Sequence, residues 1–315
     1  MNINKFKLRK TAMFVLGILA ATMENAQAGP FSGPTFDPEK IDSGIPGFVG
    51  PDGDGQVTPD NFVNPIFEGW ATGFKNYLPT SGVEAQWLTP QKTLGPVTGD
   101  VFDITSLGEL NENEINSGVT PGQITLTFDT PIRNGSGADF AVFENGFEFE
   151  EGLFAELAYV EVASDGINFT RFPSTSLTSE AVEPFGILDS TNIYNLAGKH
   201  VNNAGVFEEE IFGSSWGTPF DLENLIESSD VKDGTLDLNQ VNYVRIVDIP
   251  GNGAFLDDSN SPILDPYPTP IPGSGGFDLE AVGVINPVAI PEPESGLGFL
   301  VFAALGVGYK FTRKQ

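Results

Sequence analysis

The sequence predicts an all-β protein, a β-sandwich or jelly roll with one or two short helices. The chain has 37 glycines and 24 prolines among 315 residues, and 40% of its residues are hydrophobic. Glycine and proline usually contribute about 12% together, so this excess favours many turns over long helices. Several short segments also alternate between apolar and polar residues, which is typical of strands that bury one face. The apolar content is sufficient for a sizeable core.

The predicted strands follow one another between residues 123 and 285. The first segment, 123–128, places Ile124, Leu126 and Phe128 on one face. An Asp165-Gly166 pair separates two later segments and predicts a hairpin there. The full set of strand patterns comprises residues 123–128, 138–144, 155–164, 167–172, 241–248 and 277–285.

Two short helices are predicted from their starting residues. Asn64 can cap a helix with Pro65 in its first position, and Thr218 with Pro219 can start another. A helix from Asn64 would place aromatic residues on one face, where they would form core or, alternatively, stack on a sugar ring. These residues are Phe67, Trp70, Phe74 and Tyr77.

The charge of the chain excludes several classes of function. Residues 29–296 hold 42 of the 43 acidic residues but only eight of the 15 basic ones. Phosphate backbones are bound by lysine and arginine, so we exclude nucleic-acid binding and docking to anionic lipid. With no cysteine and one histidine, the chain offers neither a disulfide framework nor a histidine-rich or thiolate metal site.

Residues 1–28 have the organisation of a secretory signal peptide. Four basic residues precede an apolar run of about ten residues, which is too short to span a hydrocarbon layer of about 30 Å. Ala26 and Ala28 then provide the small-x-small pattern of a cleavage site. We therefore expect export through the Sec machinery and cleavage after Ala28.

The C-terminal residues form a three-part tail. Pro291, Glu292 and Pro293 interrupt the preceding structure, and residues 297–309 are apolar. Arg313 and Lys314 close the chain and would stay on the cytoplasmic side of a membrane. Thirteen residues span only about 20 Å as a helix, which makes a marginal permanent anchor.

This tail resembles the PEP-CTERM sorting signal of exported bacterial proteins. The resemblance implies recognition by an exosortase, processing near Pro291–Pro293, a Gram-negative-type envelope and an association with exopolysaccharide. The membrane would then be contacted only through the tail, before processing. An ordinary C-terminal anchor is the alternative.

The expected organisation is a signal peptide (1–28), an N-terminal extension with a short helix (29–82), a β-sandwich ectodomain (83–287) and the sorting tail (288–315).

The ectodomain carries a weaker resemblance. Residues 159–169, with their Ser164-Asp165-Gly166 turn, resemble a hairpin of discoidin-like, galactose-binding sandwiches. Residues 137–147, 195–199, 219–222 and 265–283 carry a further resemblance. Through them, most of residues 120–285 resembles a recurrent ectodomain of PEP-CTERM surface proteins. This likeness implies a sandwich fold and a surface or matrix setting, and no established activity.

Acidic residues near strand ends and in the loop 249–275 suggest a calcium site. Calcium binds oxygen ligands, and Asp and Asn residues are concentrated in and beside this loop. An EF-hand is excluded at Asp52, because Val57 and Val63 stand where Gly and Glu are needed. A solvated acidic surface is the alternative to a metal site. The candidate ligands are Glu144, Asn145, Asp258, Asp265, Asp278 and Glu280.

No catalytic motif stands out. His200 is the only candidate base for a serine triad, and the chain lacks a Gly-x-Ser-x-Gly elbow. We therefore expect no enzyme but an exported structural or adhesive protein of the cell surface or matrix, stabilised by calcium and contacting exopolysaccharide. The alternatives are a lectin-like module with a discrete glycan site and, with less support, a glycan hydrolase.

Overall fold

The computed structural model describes residues 29–149, 152–202, 213–269 and 273–289. The predicted signal peptide and cleavage residues Ala26 and Ala28 lie outside these residues, as does the sorting motif from Pro291 to Lys314. None of the helices in the described ranges is long and apolar enough to cross a membrane.

The described residues form short strands and very short helices. The helices are α1 (Glu112–Asn116), α2 (Ser229–Asp233) and 3-10 turns at Ala85–Trp87, Pro90–Thr93, Ser190–Asn192 and Leu222–Leu225. The strands are β1 (Ile45–Pro46), β2 (Phe48–Val49), β3 (Phe62–Val63), β4 (Gly69–Trp70), β5 (Gly73–Leu78), β6 (Thr105–Ser106), β7 (Gln123–Ile132), β8 (Phe140–Glu144), β9 (Phe147–Phe149), β10 (Gly152–Phe154), β11 (Ala158–Ala163), β12 (Thr170–Arg171), β13 (Thr175–Ser176), β14 (Ile193–Tyr194), β15 (Trp216–Phe220), β16 (Val241–Asp248) and β17 (Asp278–Val284).

Two larger sheets organise the protein. The first has the order β1-β15-β8-β17-β4, with β6 also paired to β17, and the second has the order β12-β11-β16-β7-β5. Three two-stranded sheets, β2-β3, β9-β10 and β13-β14, lie outside them. All the pairings between these named strands are antiparallel. The prediction of an all-β fold is confirmed.

The main core lies where the two larger sheets pack together. Phe140 and Val142 of β8 and Leu279 of β17 belong to the same buried cluster as Val160 of β11 and Ile246 of β16. Alternate residues of β8 and β11 reach this cluster, as period-two patterning predicts. A second cluster covers the opposite face of the first sheet, where Phe48, Phe67 and Val97 pack on Ala141 and Phe143. The arrangement is sandwich-like.

The prediction of a helix that starts at Asn64 is wrong. Asn64 instead accepts a hydrogen bond from Ile66 N at 3.1 Å, and the chain continues into β4 and β5. Strand β4 pairs with β17 of the first sheet and β5 with β7 of the second. The segment that looked like a separate extension therefore joins the edges of both sheets, because its aromatic residues pack as strand residues.

The second predicted helix is displaced along the chain. Thr218 and Pro219 lie in β15, and Asp221 caps the 3-10 turn Leu222–Leu225 by accepting a hydrogen bond from Glu223 N. Pairing of β15 with β8 keeps Thr218 extended. The predicted hairpin around Asp165 is confirmed, since β11 and β12 pair antiparallel on either side of it.

Candidate functional site: a buried carboxylate cluster

Six acidic side chains are buried together at one end of the two sheets. Each of them exposes at most 6% of its surface. The charges of neighbouring members raise the pKa values of Glu144, Glu156, Asp248 and Asp265. The four ion pairs found among the described residues all involve other carboxylates. The members of this carboxylate cluster are Glu109, Glu144, Glu156, Asp248, Asp265 and Asp278.

Strand ends bring most of these residues together. Glu144 is the last residue of β8 and Asp278 the first residue of β17, its antiparallel neighbour in the first sheet. Asp248 is the last residue of β16 in the second sheet, and Glu156 lies two residues before β11, the neighbour of β16. The two pairs of strand ends therefore meet at the same end of the packed sheets.

Backbone N–H groups hold four of the carboxylates in place. Leu157 N donates to Asp265 Oδ2 at 2.8 Å, and Gly276 N donates to Glu156 Oε1 at 2.7 Å. Phe277 N donates to Asp248 Oδ1 at 2.9 Å, and Thr269 N donates to Glu109 Oε2 at 2.6 Å. The donors come from the loop 249–277 and from the chain entering β11, so these segments fix the cluster.

Glycine is required at position 276 for this arrangement. Gly276 has φ +70°, and a Cβ there would lie 2.8 Å from Asp248 Oδ1. The left-handed conformation and the close approach of the backbone both exclude a larger residue. The loop can thereby place consecutive N–H groups on two carboxylates.

Glu144 differs from the other members because neither of its carboxylate oxygens has a hydrogen-bond partner among the described residues. The residue is 1% exposed, so bulk solvent does not reach its carboxylate. Asp248 Oδ2, Asp278 Oδ1 and Asn145 Oδ1 are unpartnered in the same way. Five buried oxygen atoms around this end of the sheets are thus left without donors, which is costly for polar groups and more costly for charges.

The surroundings favour the neutral form of these acids. Burial, followed by the charges of Asp278 and Asp265, raises the pKa of Glu144 well above its ordinary value. Burial is also the main cause that raises the pKa of Asp278 to about 7 and that of Glu109 to about 7. The pKa values of Glu156, Asp248 and Asp265 are raised well above the ordinary range, again mainly by burial and then by neighbouring carboxylates.

Such a cluster has two chemical options near neutral pH. The acids either retain protons or share a bound cation with hard, oxygen-seeking character. In the present side-chain conformations, no three acidic or histidine side chains of the described ranges converge on a point that could hold a metal ion. Binding a cation would therefore require rotation of side chains such as Glu144, whose oxygens break no hydrogen bond when they move.

Four of the six predicted ligands lie at this end of the sheets. Glu144, Asp265 and Asp278 belong to the cluster, and Asn145 follows Glu144 and donates from its backbone N to Asp278 O at 3.2 Å. Their predicted role as calcium ligands remains a prediction.

Two predicted ligands lie elsewhere. Asp258 is exposed and accepts a hydrogen bond from Ser174 N at 2.7 Å. Glu280 is buried and accepts hydrogen bonds from Thr98 N at 2.8 Å, from Gly99 N at 3.1 Å and from Asn202 Nδ2. The register of β17 on β8 shifts between Leu279 and Ala281, so simple alternation does not describe this part of β17.

Sequence reasoning missed Glu109, Glu156 and Asp248. A signal existed for two of them, because Asp248 ends one predicted strand and Glu156 is the second residue of another. Which strand ends meet depends on the pairing of β16 with β11, and this pairing is not encoded locally.

A second feature is an open cleft of about 510 Å3 beside β4. Trp70 lines it and packs on Phe67, with ring centroids 4.9 Å apart. Asp129 and Arg133 also line the cleft, and Asp129 Oδ1 accepts a hydrogen bond from Thr72 Oγ1 at 2.9 Å. An aromatic face flanked by charged and hydroxyl groups is suited to a polar ligand.

His200 has the surroundings of a structural residue. It is 1% exposed, and its ring nitrogens lie 3.3 Å from Ser32 Oγ and 3.3 Å from Thr218 Oγ1. Burial, followed by the charge of Lys199, lowers its pKa well below the ordinary value. None of the carboxylates among the described residues contacts the ring through a side-chain hydrogen bond, so the orienting group of a triad is missing there.

The chain matches no known protein-family model. It also shows no significant similarity to a curated protein.

Proposed function

We propose that this protein is an exported structural or adhesive component of the cell surface or extracellular matrix, sorted by an exosortase and stabilised by calcium. The signal-like N-terminus and the tail with Pro291, Glu292 and Pro293 support export and sorting. The strongly acidic composition suits contact with calcium and a hydrated polysaccharide rather than nucleic acid. The finer topology of the sandwich is then discoidin-like, which the hairpin resemblance supports, or a jelly roll, which the strand pattern supports.

The observation that carries the calcium part is Glu144, a buried acid whose two carboxylate oxygens have no hydrogen-bond partner among the described residues. Asp278, Asp248 and Asn145 each contribute a further unpartnered oxygen, which makes a set of hard oxygen donors such as calcium prefers. A divalent cation would offset the repulsion between the carboxylates and would tie the ends of the two sheets together. In this role calcium is a structural ion, and the protein performs no catalysis.

Thermal unfolding of the mature protein in calcium, in magnesium and in chelator tests this proposal. A ligand that binds only the folded state at about 100 times its Kd adds roughly 2.7 kcal/mol, which raises Tm by a few degrees. We expect this shift with calcium, a much smaller one with magnesium at equal ionic strength, and none with calcium for Glu144→Gln. The matched control is Asp258→Asn, which alters an exposed acid outside the cluster and should keep the shift.

Two results would contradict the calcium site. Equal shifts with calcium and magnesium would mean that the ions only screen the acidic surface. A full calcium shift in Glu144→Gln would place the ion elsewhere.

A second candidate function, a lectin-like module, is favoured by the cleft at Trp70. The half-buried indole lines the cleft, where a sugar ring would stack on it, and Asp129, Thr72 and Arg133 line the same cleft with hydrogen-bonding groups. The same cleft would serve weak multivalent adhesion if its affinity for one chain of sugars were low. The distinction is therefore between a saturable site and weak attachment at many points.

Binding to a panel of purified bacterial exopolysaccharides separates these functions. Saturable binding to one glycan that is lost in Trp70→Ala and weakened in Asp129→Asn supports the lectin, while Trp87→Ala, outside the cleft, should leave it unchanged. Weak binding that depends on surface density supports the adhesive role. Release of reducing sugar that one Glu→Gln change abolishes would instead reveal a glycan hydrolase.

A further inference from the structure

The first described residues are held against the loop that precedes β14. Gly29 N donates to Thr191 Oγ1 at 2.6 Å, and Phe31 N donates to Thr191 O at 3.1 Å. The Phe31 ring stacks on Tyr194, with centroids 5.1 Å apart. Two residues at the start of the body, Gly29 and Phe31, are therefore attached to one short segment far along the chain.

Only glycine fits at position 29. A Cβ there would lie 2.2 Å from Thr191 O and 2.6 Å from Asn192 Oδ1. Gly33, four residues later, has no neighbouring atom within 4 Å of such a Cβ. The close fit is thus specific to residue 29 and does not extend along the segment.

Thr191 connects Gly29 to a carboxylate. The Thr191 hydroxyl donates to Asp189 Oδ1 at 2.6 Å, and the same oxygen accepts a hydrogen bond from Thr191 N at 2.9 Å. The hydroxyl therefore accepts from Gly29 N while it donates to an acid. A positive charge on this nitrogen would be stabilised by the hydroxyl oxygen and by the negative charge beyond it.

The attached segment continues into a buried charged network. Asp42 Oδ2 lies 2.5 Å from Lys199 Nζ, which also donates to Ser32 Oγ at 3.1 Å. Ser32 N donates to Asp42 Oδ1 at 3.1 Å. Lys199 is fully buried by these contacts, so the position of residues 29–42 determines whether its charge is compensated.

We propose that Gly29 is the N-terminus of the mature protein and that the contacts of Gly29 with Thr191 and Asp189 form a seat for its free ammonium group. Hydrolysis of the Ala28–Gly29 peptide bond by a signal peptidase consumes one water. The hydroxyl goes to the Ala28 carbonyl, and the hydrogen goes to the Gly29 nitrogen, which takes up a further proton at neutral pH. An α-ammonium has an ordinary pKa of about 7.7–8.0, so it is mostly charged at pH 7.

Cleavage then has a structural consequence. The precursor has one amide N–H at Gly29, whereas the processed chain has a charged group that is a stronger hydrogen-bond donor. Processing therefore strengthens the attachment of residues 29–42, the segment that carries the partners of Lys199. This inference rests on the exported character proposed above, and it is independent of calcium and glycan binding.

The test compares three forms of the chain that share their C-terminus at Gln315. One starts at Gly29 with a free amine, one starts at Gly29 with an acetylated amine, and one starts at Ala28. We expect the free-amine form to have a Tm several degrees higher than the acetylated form and to protect the amides of Phe31 and Ser32 more strongly from hydrogen exchange. The form that starts at Ala28 should resemble the acetylated one.

Thr191→Val supplies the control for the seat itself. In this variant the free and acetylated forms should have the same Tm, because the hydroxyl that joins the ammonium to Asp189 is gone. Gly29→Ala should lower Tm in the free-amine form, whereas Gly33→Ala should leave it unchanged. Because Tm is compared between the two amine states of the same variant, a general loss of stability caused by the substitution cancels out.

Equal Tm values for free and acetylated Gly29 in the unsubstituted protein would overturn the seat. N-terminal sequencing of the exported protein that gives a residue other than Gly29 would overturn the assignment of the mature end. Neither result would affect the calcium or glycan tests, so failure of this inference is distinguishable from failure of the proposed function.

Discussion

Two buried glutamates on different sheets, Glu161 of β11 and Glu144 of β8, show opposite ways of placing a charge inside this protein. Glu161 is 6% exposed and accepts hydrogen bonds from Arg171 Nε at 3.0 Å and from Arg245 Nε at 2.5 Å. Glu144 is 1% exposed, and its carboxylate has no donor among the described residues.

The difference shows where each charge is balanced. The two arginines beside Glu161 also stack on aromatic rings, with Arg171 Cζ 3.7 Å from the Tyr159 centroid and Arg245 Cζ 3.8 Å from that of Phe169. The chain itself thus supplies the positive charges and hydrogen-bond donors that compensate Glu161. Glu144 must obtain a proton or a cation from solution, so its contribution to stability depends on the medium.

The largest expected effect tests another internally balanced charge, the pair of Lys199 and Asp42. Asp42→Ala leaves the fully buried Lys199 ammonium without its carboxylate, and removal of one partner from a buried pair typically costs about 3–5 kcal/mol. Urea unfolding at pH 7 measures the loss. A change below about 1 kcal/mol would mean that water or another acid compensates Lys199.

A smaller effect is expected for Glu161→Gln, and it should contrast with Glu144→Gln. The glutamine at 161 weakens bonds to two arginines whose side chains are 45% and 26% exposed, so we expect a loss of only about 1–2 kcal/mol. In chelator, Glu144→Gln should lower the free energy of unfolding by less than about 0.5 kcal/mol or should raise it, because the substitution removes an uncompensated acid. Urea unfolding of both variants in chelator measures this, and equal losses would contradict the comparison.

The last effect is on the pH dependence of stability and concerns Asp139, a buried acid between these two extremes. Its carboxylate accepts hydrogen bonds from Gly135 N, Leu222 N and Asn286 Nδ2, yet burial raises its pKa to about 6. The folded state therefore binds a proton more tightly than the unfolded state, and the resulting stability is present at low pH and lost as pH rises from about 4 to about 6.

Asp139→Asn should remove this part of the pH dependence. The difference in unfolding free energy between variant and parent should change by roughly 1 kcal/mol or more between pH 4 and pH 7. The measurement is urea unfolding of both proteins at each pH. A constant difference would indicate that the three donors keep Asp139 ionised throughout.

The sequence by itself predicted the all-β class and the positions of most long strands. Residues 241–248 form β16 as expected, and 277–285 contain β17. Period-two alternation and flanking turns are local properties, so they can be read without knowing which strands pair. Local reading failed at Asn64, where pairing with both sheets overrides a plausible helix start.

The sites were determined only by the tertiary structure. Glu144 and Asp278 were foreseeable as strand-end acids, but Glu109, Glu156 and Asp248 join them because β8, β17, β16 and β11 end at the same edge of two packed sheets. The burial of Glu144, and the absence of a donor to it among the described residues, are likewise properties of that packing. A carboxylate in a sequence is only an acidic residue, whereas its surroundings decide whether it is a solvated charge, half of an ion pair or an acid that needs a proton or a cation.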